Sequence, residues 1–195
     1  MLEDDEIAVG IIGRLVPIKN HKLFIDAFNH SLKYSKQKVR GFIIGDGSER
    51  EELKQYSREL GIDYVNGEVA EFRKASLHFT SWMKQMDRVT AGLDIVALSS
   101  LNEGTPVSLI EAQAAGRPII TTNVGGVENT VLPDRTAMVM EVNDKEAYEK
   151  GFLELIENAE LRKKLSENGW KHAKDNFHYS RLVNDMDQLY QSLLS

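Results

Sequence analysis

The chain has no cysteine among its 195 residues, which excludes disulfides, thiolate metal sites and a cysteine nucleophile. No apolar run approaches the ~18 residues of a membrane span. Basic side chains are in deficit, 24 against 30 acidic ones, and a net charge of −6 is the wrong sign for non-specific nucleic-acid binding. The opening Met1-Leu2-Glu3-Asp4-Asp5-Glu6 is acidic and lacks the basic n-region of a signal peptide, so none is expected. Five histidines (His21, His30, His78, His172, His178) are scattered without an i, i+4 pair or H-E-x-x-H, so surface or satisfied core roles are expected and no metal site. There is no G-x-S-x-G elbow and no P-loop. Gly45 and Gly47 follow a second strand with no third glycine three residues on, so the dinucleotide fingerprint is missing too.

What is present fits one soluble globular domain, with 42% hydrophobic and 28% charged residues. Strand-like runs at Ile7–Ile12, Val39–Ile44, Ile62–Val65, Leu77–Thr80, Asp94–Leu98, Pro118–Thr122 and Ala137–Val142 alternate with helical patterns. Asn20 is placed to cap a helix carrying Leu23, Phe24, Ala27, Phe28 and Leu32. Ser48 with Glu51 suggests a capping box opening a helix through Leu53, Tyr56 and Leu60 to Gly61, and Asn143 with Glu146 suggests another. Met83 to Ala91 reads as a short helix with Met83 and Met86 in the core. From Tyr148 onward the chain reads as helical, with breaks near Gly169 and around Asn176–Ser180, ending in a stripe of Leu182, Val183, Met186, Leu189, Tyr190 and Leu193. Alternating strands and helices imply an α/β fold, a doubly wound parallel Rossmann-like sheet flanked by helices with a C-terminal helical tail.

The organising stretch runs from Leu98 to Gly126. A buried strand ends in a polar loop with Glu103 and Gly104. Thr105 offers a hydroxyl N-cap, Pro106 fits the first helical position, Val107, Ile110 and Ala114 share one side, and Gly116 ends the helix. The free N–H groups of its first turn suit an anion. Glu111 lies about 7.5 Å along the axis from Pro106, and its side chain tilts back toward that terminus. A ligand docked there would have a carboxylate on each side, which suits a diol or a sugar ring. In Gly13-Arg14-Leu15-Val16-Pro17-Ile18-Lys19-Asn20, Arg14 and Lys19 follow the first strand, where open α/β sheets bind ligands. Beside an anion site they make sense as a diphosphate clamp. Two elements stay open between structural turn and ligand contact: Gly45-Asp46-Gly47-Ser48, and the paired glycines Gly125 and Gly126.

The string E-G-T-P-V-S-L-I-E-A-Q-A-A-G-R-P-I-I, from Glu103, resembles the donor-binding signature of the retaining glycosyltransferases of family 4, also called group 1, which have the GT-B fold. G-R-L-V-P-I-K-N, from Gly13, resembles the same family's first-loop motif. The resemblance spans nearly the whole chain, as the C-terminal half of such an enzyme: residues 1–178 as the sugar-nucleotide-binding domain and 179–195 as a C-terminal helix. It implies that Glu111 holds the ribose hydroxyls and Glu103 the donor sugar. The backbone of Gly104, Thr105, Pro106 and Val107 would face sugar and diphosphate, Arg14 and Lys19 would neutralise the leaving diphosphate, and Gly13 would contact the donor beside them. The loop at Thr80 and Ser81 would present backbone to the nucleobase. Glu103, Arg14 and Lys19 are then the catalytic set.

The implied activity is transfer of a sugar, with retention, from a nucleotide-diphosphate sugar to a glycan or lipid acceptor, with no metal and no cofactor. The acceptor-binding domain is expected to be missing, because the first strand begins at residue 7, and the chain alone is expected to be an inactive fragment. A cytoplasmic location is expected, with the full-length enzyme able to sit against the inner face of a membrane. Two alternatives stay open: a non-catalytic nucleotide-binding module, and a GT-B sugar-nucleotide epimerase.

Overall fold

The computed structural model describes residues 5–67 and 75–194. The stretch Glu71 to Ala75, read above as a polar connection, falls almost wholly outside the described residues. Seven strands, β1 (Glu6–Ile12), β2 (Lys38–Ile44), β3 (Tyr64–Asn66), β4 (Leu77–Thr80), β5 (Ile95–Leu98), β6 (Ile119–Thr122) and β7 (Met138–Met140), form one parallel sheet in the order β3-β4-β2-β1-β5-β6-β7. The helices are α1 (His21–Tyr34), α2 (Arg50–Glu59), α3 (Met86–Ala91), α4 (Val107–Ala114), α5 (Lys145–Glu157), α6 (Ala159–Phe177) and α7 (Tyr179–Leu194). The doubly wound reading holds.

Strands buried on both faces must be apolar at successive positions, and β5 is, with Ile95 and Ala97 facing one core and Val96 and Leu98 the other. The first core packs Phe24 and Phe28 of α1 against Phe152 and Leu155 of α5, with Phe24 and Phe152 edge to face at 5.8 Å. The second is smaller and packs Leu109 and Ala112 of α4 with Val127 and Val131. The strand order reverses between β1 and β5, so the loops leaving their carboxyl ends diverge and open a crevice.

Several local expectations shift by a residue, each for a visible reason. Pro106, not Thr105, is the N-cap residue of α4, with extended backbone (ψ 91°) and no side-chain cap. Leu109, Ala112 and Gln113 form the buried face of α4, whereas Val107 is 58% exposed and Ala114 is exposed. Ser48 does not cap α2. The helix starts at Arg50, and the N–H of Glu49 is spent on Leu15 O at 3.0 Å, while Glu51 pairs with Lys54. Asn20 precedes α1 in left-handed conformation (φ 48°, ψ 48°), closing a 3-10 turn over Pro17–Lys19 with its backbone and capping nothing with its side chain. Asp144, not Asn143, caps α5 by accepting from Ala147 N at 2.9 Å.

α6 runs unbroken through Gly169, because there the missing side chain lets α6 approach Gln113 of α4, and the break falls earlier, at Asn158. Met83 is exposed rather than core. α7 carries the expected apolar stripe, yet buries no residue. Among the described residues no helix is long and apolar enough to cross a membrane.

The G-D-G turn has a structural task. A Cβ on Gly45 (φ +141°) would lie 1.9 Å from Gly13 O, and one on Gly47 would lie 2.3 Å from Leu15 O. The turn therefore clasps the β1–α1 loop, with Leu15 N donating to Asp46 O at 2.9 Å. Gly45→Ala should cost at least ~2 kcal/mol, since backbone cannot give way and the conformation is strained. Gly61→Ala, at φ +74° but facing open space, should cost only ~1 kcal/mol. Urea midpoints at constant slope measure both, and equal losses would contradict the clasp.

Candidate functional site

Gly13 follows β1 directly, and a side chain there would meet nothing within 4 Å, so the backbone faces open space. Arg14 is exposed and makes no ion pair among the described residues. The chain then turns through Pro17–Lys19 into α1. On the neighbouring strand, the loop after β5 carries Ser99, Ser100 and Glu103 before α4.

Direct bonds join the two loops. Leu101 N donates to Ile18 O at 2.8 Å, and Ser99 Oγ donates to Lys19 O (3.0 Å) and Asn20 O (2.9 Å). Lys19 Nζ and Glu103 Oε1 meet at 2.6 Å, and Ser100 Oγ donates to the same Oε1 at 2.6 Å. Glu103 Oε2 takes no hydrogen bond among the described residues. Two candidates 84 positions apart in sequence thus share one mouth. That Glu103 would pair with Lys19 was not readable from spacing, because neither motif refers to the other.

The paired glycines are resolved by packing. A Cβ on Gly125 would lie 2.0 Å from Glu103 O, and one on Gly126 would lie 1.8 Å from Gly104 O. The 3-10 turn Gly125–Asn129 therefore lies against the backbone that presents Glu103, and Gly126 N donates to Glu103 O at 3.0 Å. Only glycine allows this approach. Gly104 itself faces open space, like Gly13. Thr105 and Val107 are exposed beside it, Pro106 is buried, and the N–H groups of Val107 and Ser108 in the first turn of α4 have no backbone partner among the described residues.

Glu111 is exposed, one helical turn beyond, on a groove of about 350 Å³ between α3 and α4 lined by Met86, Asp87, Thr90 and Ala114. The segment after β4 leads along the chain into α3. There Thr80 O accepts from Arg50 Nη1 at 2.9 Å and Ser81 Oγ reaches Asp46 Oδ2 at 3.3 Å. Arg50 also binds Gly45 O (3.1 Å) and Asn66 Oδ1 (2.8 Å), so one guanidinium ties the G-D-G turn, β3 and the Thr80 segment together. Sequence reading missed Arg50, although it singled out two of its partners, Gly45 and Thr80. Asp46, beside two glycines, was the available signal.

His21, expected to be surface or satisfied, is neither. It is 1% exposed and neither ring nitrogen has a hydrogen-bond partner among the described residues. Burial pushes its pKa from 6.5 to about 4, with the Lys19 charge adding to the effect. A neutral imidazole behind the cation loop is thereby maintained. Among the described residues no group of three or more histidines and carboxylates stands ready for a metal.

A family model described as glycosyl transferases group 1 matches residues 2–172. An uncharacterized glycosyltransferase of Methanocaldococcus jannaschii is 25% identical over 194 residues, which are 98% of this chain and 46% of that protein. HepE of Anabaena, solved in complex with UDP-glucose, superposes with a TM-score of 0.80 at 20% identity, over 96% of this chain and 49% of that one. A C-terminal domain of a group 1 family glycosyl transferase from Francisella tularensis, solved alone, superposes with a TM-score of 0.74 at 23% identity, over 88% of this chain and 86% of that one. The chain spans about half the length of the curated relatives it matches.

The histidine predicts a pH dependence of stability. Its folded pKa of about 4 lies below the ordinary 6.5, so the unfolded chain binds the proton more readily. The stability it allows is complete above pH ~6.5 and is lost as pH falls toward 4, at most on the order of 3 kcal/mol. His21→Leu should flatten that limb. Urea midpoints at pH 7, 5.5 and 4.5 measure it, and parallel pH profiles for the two proteins would contradict the assignment.

Proposed function

The chain belongs to the glycosyl transferases of group 1, and we propose that it is the half of such an enzyme that holds a nucleotide-diphosphate sugar at the reversal between β1 and β5. The observation that carries this reading is the Lys19–Glu103 contact at 2.6 Å, which brings the cationic β1–α1 loop and the β5–α4 loop to one mouth. Around it stand open backbone at Gly13 and Gly104, an uncapped helix start and Arg14, exposed and without an ion pair among the described residues.

Sugar transfer breaks the bond between the anomeric carbon and the diphosphate oxygen and leaves negative charge on that oxygen. Groups fixed in place before the charge develops stabilise it most. Arg14, Lys19 and the first-turn N–H groups of α4 supply that stabilisation. Glu103 stands on the transferred sugar's side, with Oε2 available to hydroxyl donors. Glu111 faces the ribose along the α3–α4 groove, and the base extends toward Thr80 and Ser81. Transfer proceeds with retention and without a metal, the cations and helix start serving in its place. The acceptor, a glycan or lipid, is held by a second domain outside this chain, which alone does not turn over donor.

Calorimetry with UDP, GDP and ADP, their monophosphates and nucleosides tests the donor site. One diphosphate should bind well above its monophosphate, unchanged by added chelator. Arg14→Ala should weaken it roughly 10- to 100-fold, the scale of a charged hydrogen bond. Glu111→Gln should weaken diphosphate and sugar nucleotide alike and shrink the preference for ribose over 2′-deoxyribose. Equal affinity for nucleoside and diphosphate would overturn the reading, and acceptor-dependent turnover by the chain alone would overturn the division of labour.

A further inference from the structure

The pairing of Lys19 with Glu103 bears on which ligand the site prefers. Both partners are anchored through their backbones. Lys19 O accepts from Ser99 Oγ, and Glu103 O accepts from Gly126 N. Ser100, whose hydroxyl holds Oε1, is itself fixed by Thr122 Oγ1 donating to its carbonyl at 2.6 Å. The carboxylate side chain is only 9% exposed and the lysine 26%. A pair so held is screened less than a surface salt bridge, and its carboxylate has little room to swing away.

Resting on the donor-site reading above, we propose that Glu103 sets the preference of the site for the sugar-bearing donor over the spent nucleoside diphosphate, by holding Lys19 against the diphosphate's demand for it. A bare diphosphate approaching Lys19 must share the ammonium with a carboxylate that repels it. A sugar nucleotide brings hydroxyl groups that donate to Oε2, so the same carboxylate gains partners while the phosphates take the remaining N–H bonds of Lys19. Once the sugar has been transferred those donors are gone, the repulsion remains, and the diphosphate is expelled. Spacing alone would have Glu103→Gln leave a plain diphosphate untouched. The ion pair reverses that expectation and gives it a sign.

The test is calorimetry on the whole chain with inorganic diphosphate, UDP and UDP-glucose. Glu103→Gln should bind inorganic diphosphate and UDP roughly tenfold tighter than wild type, a change of about 1.4 kcal/mol. It should bind UDP-glucose no tighter, so that the sugar's contribution to affinity collapses. The gain should vanish when Lys19→Met is added, since the cycle isolates the coupling. Glu103→Ala should show the same sign, which covers a Gln variant that folds poorly. A merely structural Glu103 would weaken all three ligands together. If wild type binds diphosphate and Glu103→Gln binds it equally or more weakly, the discrimination is refuted while the donor site stands. If wild type binds neither inorganic diphosphate nor any of UDP, GDP and ADP, both readings fall.

Discussion

Close backbone approach over the carboxyl ends of β1 and β5 is the constraint on which the site depends. Two loops that diverge from adjacent strands must be held within side-chain reach of each other. Glycine makes this possible at both flanks, with Gly45 against Gly13 O and Gly125 and Gly126 against Glu103 O and Gly104 O. A methyl group at any of these points would displace a carbonyl, and with it either the cation loop or the carboxylate loop. The reversal of strand order opens the crevice, these contacts brace each loop from its outer side, and the bonds from Leu101 N to Ile18 O and from Ser99 Oγ to Lys19 O join the two loops.

A layer of buried polar bonds stiffens what the glycines bring together. The Tyr148 hydroxyl, wholly buried in α5, donates to Leu98 O at 3.2 Å, at the last residue of β5, and burial holds its pKa far above the ordinary tyrosine range. Ser99, Ser100 and Thr122 tie the following residues to the 3-10 turn, to Glu103 and to β6. Each would be costly to leave unpaired at this depth, so each fixes geometry as well as adding stability. The charged groups at the mouth are thus set on a rigid frame, the arrangement that electrostatic stabilisation of a departing group requires. Arg50 does the same on the other side of β1, joining the G-D-G turn to the segment after β4.

The fold was largely legible because its signals are local. Apolar runs marked every strand, and β1 and β2 fall within a residue of their expected limits. The candidate residues stand in the sequence as motifs, and the structure sets Gly13 and Gly104 on open space and joins Lys19 to Glu103, a contact that neither motif shows. What failed was whatever depends on a partner distant in sequence. Ser48 looked like a cap because its own neighbourhood fits one, but Leu15, 34 positions earlier, claims the N–H of Glu49. Gly169 looked like a break because the approach of Gln113 cannot be seen in the helix that carries it. Which face of α4 is buried is of the same kind: Val107, Ile110 and Ala114 are as apolar as Leu109 and Ala112, and the packing on the sheet buries the second set. The Lys19–Glu103 pair, the buried His21 and the Arg50 hub belong to this group.

Amide chemical shifts of the ¹⁵N-labelled chain titrated in turn with UDP, GDP and ADP test the placement of the ligand most directly. The account predicts that the largest changes fall on Gly13, Arg14, Gly104, Val107 and Ser108, on both sides of the reversal between β1 and β5. A maximum at the groove of about 590 Å³ at the far end of α4, around Gly116, Ser166 and Trp170, would contradict it, as would no change at all.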